Sequence, residues 1–167
     1  MGSNLYTPEV IALPSTSQYV GQGRFFLSGS GKLTTSGGLL NARGVLVNPV
    51  GSGRTVYEAR VVAFSTSTGF ADIKITPTNL PTTPARGVLN AITSIQPAGN
   101  VANFYADVSS VPFTGGYDPG FDLAIPANQR ITVDLPPLVA PPGAGLGVTL
   151  KLSNNADVEF SVYWWEA

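Results

Sequence analysis

Apolar and polar residues alternate along much of this chain with a period of two, the mark of strands that bury one face. In the last segment Val158, Phe160, Val162 and Trp164 fall on one face, and Glu159, Ser161, Tyr163 and Trp165 on the other. Val148, Leu150 and Leu152 alternate with Thr149 and Lys151, and the intervening Ser153-Asn154-Asn155-Ala156-Asp157 predicts a carboxy-terminal hairpin. The same pattern sets Ile131, Val133 and Leu135 against Thr132 and Asp134, and Ile73 and Ile75 against Asp72, Lys74 and Thr76. Further strands are predicted over Gln18 to Ser28, Leu39 to Val47, Arg54 to Ser65, Gly87 to Ile95 and Asn103 to Val108, because these stretches are rich in Val, Ile, Thr, Phe and Tyr.

Between them stand turn clusters such as Asn48-Pro49-Val50-Gly51-Ser52-Gly53, Pro77 to Pro84 and Gly115-Gly116-Tyr117-Asp118-Pro119-Gly120. Nineteen Gly and fourteen Pro spread along the whole sequence leave no room for long helices. About eight to ten short strands in one unit predict an all-β, two-sheet antiparallel β-sandwich. Two phrases point to the jelly-roll variant: Ile125-Pro126-Ala127-Asn128 leads into the strand at Ile131, and Ala140-Pro141-Pro142-Gly143 into the strand at Gly147. No linker interrupts residues 18–167. Residues 1–17 differ, lacking Gly turns after Gly2 and holding the apolar run Val10-Ile11-Ala12-Leu13 between Pro8 and Pro14. They read either as a frayed terminus or a first edge strand packed on its own sandwich, or as an extended arm that adds a strand to a neighbouring subunit.

Composition narrows the chemistry. The chain contains no His and no Cys, so it supplies no imidazole or thiolate to a metal and no Ser-His-Asp or Cys-His machinery. No cofactor is expected. Nine Lys and Arg against ten Asp and Glu give a net charge of -1, which is not the basic surface that nucleic acid requires. Such a balance also gives little electrostatic protection against self-association. No apolar run is long enough for a membrane-spanning helix, and the amino terminus lacks the basic region and apolar stretch of a secretory signal.

Each candidate site has an ordinary reading beside it. Asp118 and Asp122 could form a carboxylate pair, but Asp118 in Tyr117-Asp118-Pro119-Gly120 suits a turn that accepts its own backbone hydrogen bonds. Glu58 and Arg60 share a strand face, as surface or interface pairs do. The Gly-rich stretches Gly21-Gln22-Gly23, Gly51-Ser52-Gly53 and Gly143 to Gly147 lack the Gly-Lys-Ser/Thr of a phosphate loop. Tyr163, Trp164 and Trp165 are the interface candidates: one Trp should lie in the core and the other face outward or a partner. An outward indole would equally stack on a sugar.

The run Gly44-Val45-Leu46-Val47-Asn48-Pro49-Val50-Gly51-Ser52-Gly53, the strand through Phe64, the Ile-Pro-Ala and Pro-Pro-Gly phrases, and the ending Val162-Tyr163-Trp164-Trp165-Glu166 resemble a family of small uncharacterised proteins of spore-forming bacilli. More distantly, the architecture is similar to jelly-roll subunits of endospore appendages and other self-assembling surface fibres. That resemblance implies a location on a spore or cell surface and no active site. Those subunits lock their fibres through cysteines in the arm, and this chain has none. The expectation is a non-enzymatic structural subunit that forms an extracellular, head-to-tail homo-polymer through an arm carrying Val10, Ile11, Ala12 and Leu13. The competing expectations are a viral or phage capsid, decoration or fibre protein, and a carbohydrate-binding module.

Overall fold

The computed structural model describes residues 24–90, 99–120, 122–133 and 139–167, without the side chains of Glu58 and Ala59. The arm, with Val10, Ile11, Ala12 and Leu13, lies outside the described residues. Among those described, every regular element is a strand: β1 (Phe25–Gly29), β2 (Leu33–Thr34), β3 (Asn41–Val47), β4 (Val56–Ser65), β5 (Gly69–Ile75), β6 (Val88–Asn90), β7 (Asn103–Ser109), β8 (Asp122–Ile125), β9 (Gln129–Val133), β10 (Val139–Ala140), β11 (Gly145–Leu152) and β12 (Asp157–Glu166). The expected β-sandwich is present: two antiparallel sheets packed against each other.

The first sheet runs β6-β1-β12-β4. On the far side of β4, β9 pairs with Val61 to Ser65 and β10 with Val56 and Tyr57, while β2 pairs with the start of β12. The second sheet runs β7-β3-β11-β5-β8. From β3 to β5, and again from β9 to β12, the chain crosses repeatedly between the sheets. The predicted carboxy-terminal hairpin is therefore wrong. β11 belongs to the second sheet and β12 to the first, and Ser153 to Ala156 carry the chain across the sandwich. Two alternating strands joined by a short polar turn look the same in sequence whether they pair or face one another; only the neighbours decide.

The core forms where the inner faces meet. Val158, Phe160, Val162 and Trp164 of β12, which alternate as expected, are all buried against Phe26, Leu46, Val61, Ile73, Phe104 and Leu150. Gly44 of β3 makes this layer possible, because a Cβ there would stand 3.2 Å from the Phe104 ring and 3.3 Å from that of Phe160. Two aromatic rings take the volume that a side chain on β3 would occupy.

The second sheet is covered on its outer face as well. Phe113, which is buried, lies so close over Gly147 of β11 that a Cβ there would meet its ring at 2.9 Å and the Pro77 ring at 3.0 Å. Phe113 N–H donates to Thr149 Oγ1 at 3.1 Å, and Asn79 Nδ2 donates to Pro112 C=O at 3.0 Å. The Pro77 region and the segment around Phe113 thus form a lid of irregular chain whose polar groups are taken up by each other and by the sheet, as burial demands.

Candidate functional site

The buried charges come first, because a catalytic site would have to use such groups. Arg43 on β3 and Asp107 on β7 are direct cross-strand partners. Arg43 donates from Nε to Asp107 Oδ1 at 2.8 Å and from Nη2 to Oδ2 at 2.6 Å. Its guanidinium lies 5.1 Å from the centre of the Phe113 ring, and Nη1 donates to Asn79 C=O at 3.3 Å. Every face of this cation is engaged in fastening the irregular cover to the sheet.

Glu166, fully buried at the end of β12, is the second such group. Its Oε1 accepts from Ala102 N–H at 2.9 Å and from Trp164 Nε1–H at 3.0 Å; Val101 N–H reaches both oxygens at 3.0 Å, and Arg54 Nη1 donates to Oε2 at 3.2 Å. One carboxylate ties the 99–102 loop, the core indole and the turn before β4 together. All of its neighbours donate, so it acts as the acceptor in a structural clamp.

The interface candidates are placed differently from expectation. Both indoles are buried, Trp164 at 0% and Trp165 at 4% exposure, so neither offers a free ring face; Tyr163, which precedes them, is half-buried. Trp164 lies in the core with its ring 5.8 Å from that of Phe26. Alternation turns Trp165 to the opposite face of β12, but there the cross-strand neighbour Phe25 packs beside it, ring centres 6.2 Å apart. The outer face of the first sheet is covered at that end, which an alternation pattern alone does not reveal.

Asp118 does what its turn implied: Oδ1 accepts from Gly120 N–H at 2.8 Å, and Oδ2 is bound by the Lys74 ammonium. The Lys74 hydrogen bond, with help from the Gly120 N–H, holds the Asp118 carboxyl below its ordinary value, and the same bond raises Lys74. Asp122 stands on β8 opposite Asp72, whose carboxylate is paired with Lys151 at 2.9 Å. Asp118 is therefore taken up by its own turn and by Lys74 while Asp122 begins a strand, and among the described residues no cluster of three or more acidic side chains is disposed to hold a metal. Arg60 is exposed, and the Glu58 side chain lies outside the described residues. Gly145 and Gly147, part of the Gly-rich stretch, are inside β11.

At one end of the sandwich Leu46, Val56, Ile75, Ala140 and Leu146 line an apolar pocket of about 20 Å³, room for a water molecule or so. Asn48 also lines it. Its Nδ2 donates to Arg54 C=O and Ala140 C=O, both at 2.8 Å, while its buried Oδ1 has no partner among the described residues.

The outer surface has another character at the β5–β8 end of the second sheet. Phe70 (55% exposed), Leu123 (38%) and Tyr117 (69%) stand there as large exposed apolar or aromatic side chains. Sequence reading missed β8 altogether. No protein-family model, curated protein or solved structure matches this chain.

Proposed function

We propose that the chain is a non-enzymatic structural subunit that associates with copies of itself into an extracellular fibre or surface layer, joined by strand addition from the arm at residues 1–17. The observation that carries this reading is the contrast between its charges and its edge. The buried ionisable groups Arg43, Asp72 and Glu166, with the half-buried Asp107, are engaged in ion pairs and in holding loops, whereas Phe70, Leu123 and Tyr117 stand exposed beside the strand edge at β8. That is an arrangement for sticking, not for moving protons.

The reading of the fold as a jelly roll supports it. Setting aside the short β2 and β10 and the flanking strands β6 and β7, the strand orders β1-β12-β4-β9 and β3-β11-β5-β8 are what supports that reading, since a jelly roll, the architecture of many surface and shell subunits, is built of two Greek keys. A viral or phage shell or fibre protein would share these features. The glycan-binding alternative is weaker, because Trp164 and Trp165 expose no ring for a sugar. Likeness to spore-surface fibre subunits gives the location and remains part of the proposal.

Size exclusion and negative-stain microscopy test it on the full chain and on a chain lacking residues 1–17. The full chain should form filaments, and the truncated chain should stay folded but stop growing. Truncated protein that polymerises like the full chain refutes the arm, and closed shells or defined trimers from the full chain favour the virion reading.

A further inference from the structure

The β8 edge has a definite pattern of open backbone groups. On the β8 side of β5, Ile75 N–H donates to Tyr117 C=O at 2.8 Å and Tyr117 N–H returns to Ile75 C=O at 2.9 Å, whereas Thr76 N–H points the other way, to Gly145 C=O at 2.7 Å. Hydrogen-bonded pairs alternate along antiparallel strands. The odd-numbered residues of β5 therefore bond towards β8, and Ala71 with Leu123 and Gly69 with Ile125 are the bonded pairs. Asp122 and Ala124 consequently turn their N–H and C=O groups away from β5, to the outside.

No described residue takes those outward groups, and Asp122, Leu123 and Ala124 are all exposed. Three other edges, at β7, β9 and β10, are guarded or short. Along β7, Phe104 C=O accepts from Arg86 N–H at 2.7 Å, and Ala106 C=O accepts from Arg86 Nη2 at 2.9 Å and Thr83 Oγ1 at 3.1 Å. β9 shows exposed Gln129 and Arg130, and β10 is two residues long. Proteins blunt edges with charge, proline or a covering segment; Leu123, Ala124 and Ile125 carry none of these, and Pro126 only ends the strand.

We propose that β8 pairs with β8 of a second copy, antiparallel, about a two-fold axis through Leu123. The register follows from the pattern. Centred on Leu123, Asp122 of each copy faces Ala124 of the other, so both outward residues find bonding partners and four hydrogen bonds form. Centred on Ala124 instead, Asp122 would face Pro126, which has no N–H to give. The Leu123 register also sets each Asp122 beside an alanine, not beside its twin, and covers the exposed Leu123 side chains with each other. The second sheets of the two copies become one continuous sheet. This inference rests on the reading that the chain associates with itself, but it does not use the arm.

Cysteine cross-linking of the full chain, which has no cysteine of its own, tests the register. Leu123 and its twin would be a non-hydrogen-bonded pair with Cβ atoms about 4.5–5.5 Å apart, close enough for a disulfide after a small adjustment. Leu123→Cys should oxidise to a covalent dimer, at least about tenfold faster than Ala124→Cys, which would face Asp122. Ala124→Pro removes only an outward N–H, leaves the β5–β8 bonds in place, and should weaken dimerisation about tenfold in sedimentation velocity with the unfolding midpoint kept. Equal cross-linking rates for the two cysteine variants, or wild-type association by Ala124→Pro, would overturn the proposal. So would loss of the Leu123→Cys dimer on deleting residues 1–17, since the arm would then be what fills the edge. Wild-type polymers without a Leu123→Cys cross-link remove this contact alone; a wild-type chain that stays monomeric removes the self-association reading as well.

Discussion

Replacing Glu166 by alanine is the sharpest perturbation of the folded body. The substitution removes a fully buried acceptor from three N–H donors, those of Val101, Ala102 and the Trp164 indole, and breaks its pair with Arg54. Hydrogen bonds to a charged group contribute roughly 1.5–3 kcal/mol each, but they share one acceptor and do not add. Breaking a buried charged cluster from one side costs about 3–5 kcal/mol, which for a chain of this size lowers Tm by about 6–20 °C. Glu166→Gln should lose less, because one oxygen still accepts while the new amide N–H₂ meets donors. Arg54→Met should lose least, since the Arg54 side chain is already 39% exposed and water replaces it. Chemical denaturation followed by circular dichroism gives the order, and hydrogen exchange at Val101 and Ala102 should quicken beyond the global change. A Glu166→Ala protein within about 1 kcal/mol of wild type would refute the clamp.

Three further outcomes follow from packing and charge. Arg43→Met should destabilise by about 2–4 kcal/mol in denaturant titration by leaving Asp107 unpaired, and adding Asp107→Leu should recover part of it. Gly147→Ala should lose about 1–3 kcal/mol, because its methyl would press on Phe113 and Pro77; a neutral result would mean the cover over the second sheet is loose. Hydrogen bonds from Lys32 and then Thr34 hold Asp157 below its ordinary carboxyl value. Its contribution is therefore present above the unfolded carboxyl pKa and lost as pH falls through the lower folded one. Asp157→Asn should accordingly narrow the gap between denaturation midpoints at neutral and strongly acidic pH, by a small amount because the site is exposed.

Much of the architecture was legible because half-buried strands write their inner faces into every second residue. The long strands β3, β4, β7, β11 and β12 lie within or overlap the predicted stretches. β8 was not legible: four residues between the turn at Pro119-Gly120 and Pro126 are too few to display a period, and its leading Asp122 resembles turn chemistry. The sheet crossing between β11 and β12 escaped for a different reason, since pairing is decided by strands far away in sequence. Glu166 could have been found. It continues the phase of Val158, Phe160, Val162 and Trp164, and a charge in phase with a buried face announces a partnered carboxylate. Trp165 is the converse, placed correctly by alternation on the outer face of β12 but hidden there by its surroundings, which no local pattern encodes.

Self-association stands at the centre of this account, and sedimentation velocity of the full chain over a wide concentration series measures it most directly. The account predicts species that grow with concentration well beyond the 17.4 kDa of one chain. A single boundary at that mass at every concentration would contradict it.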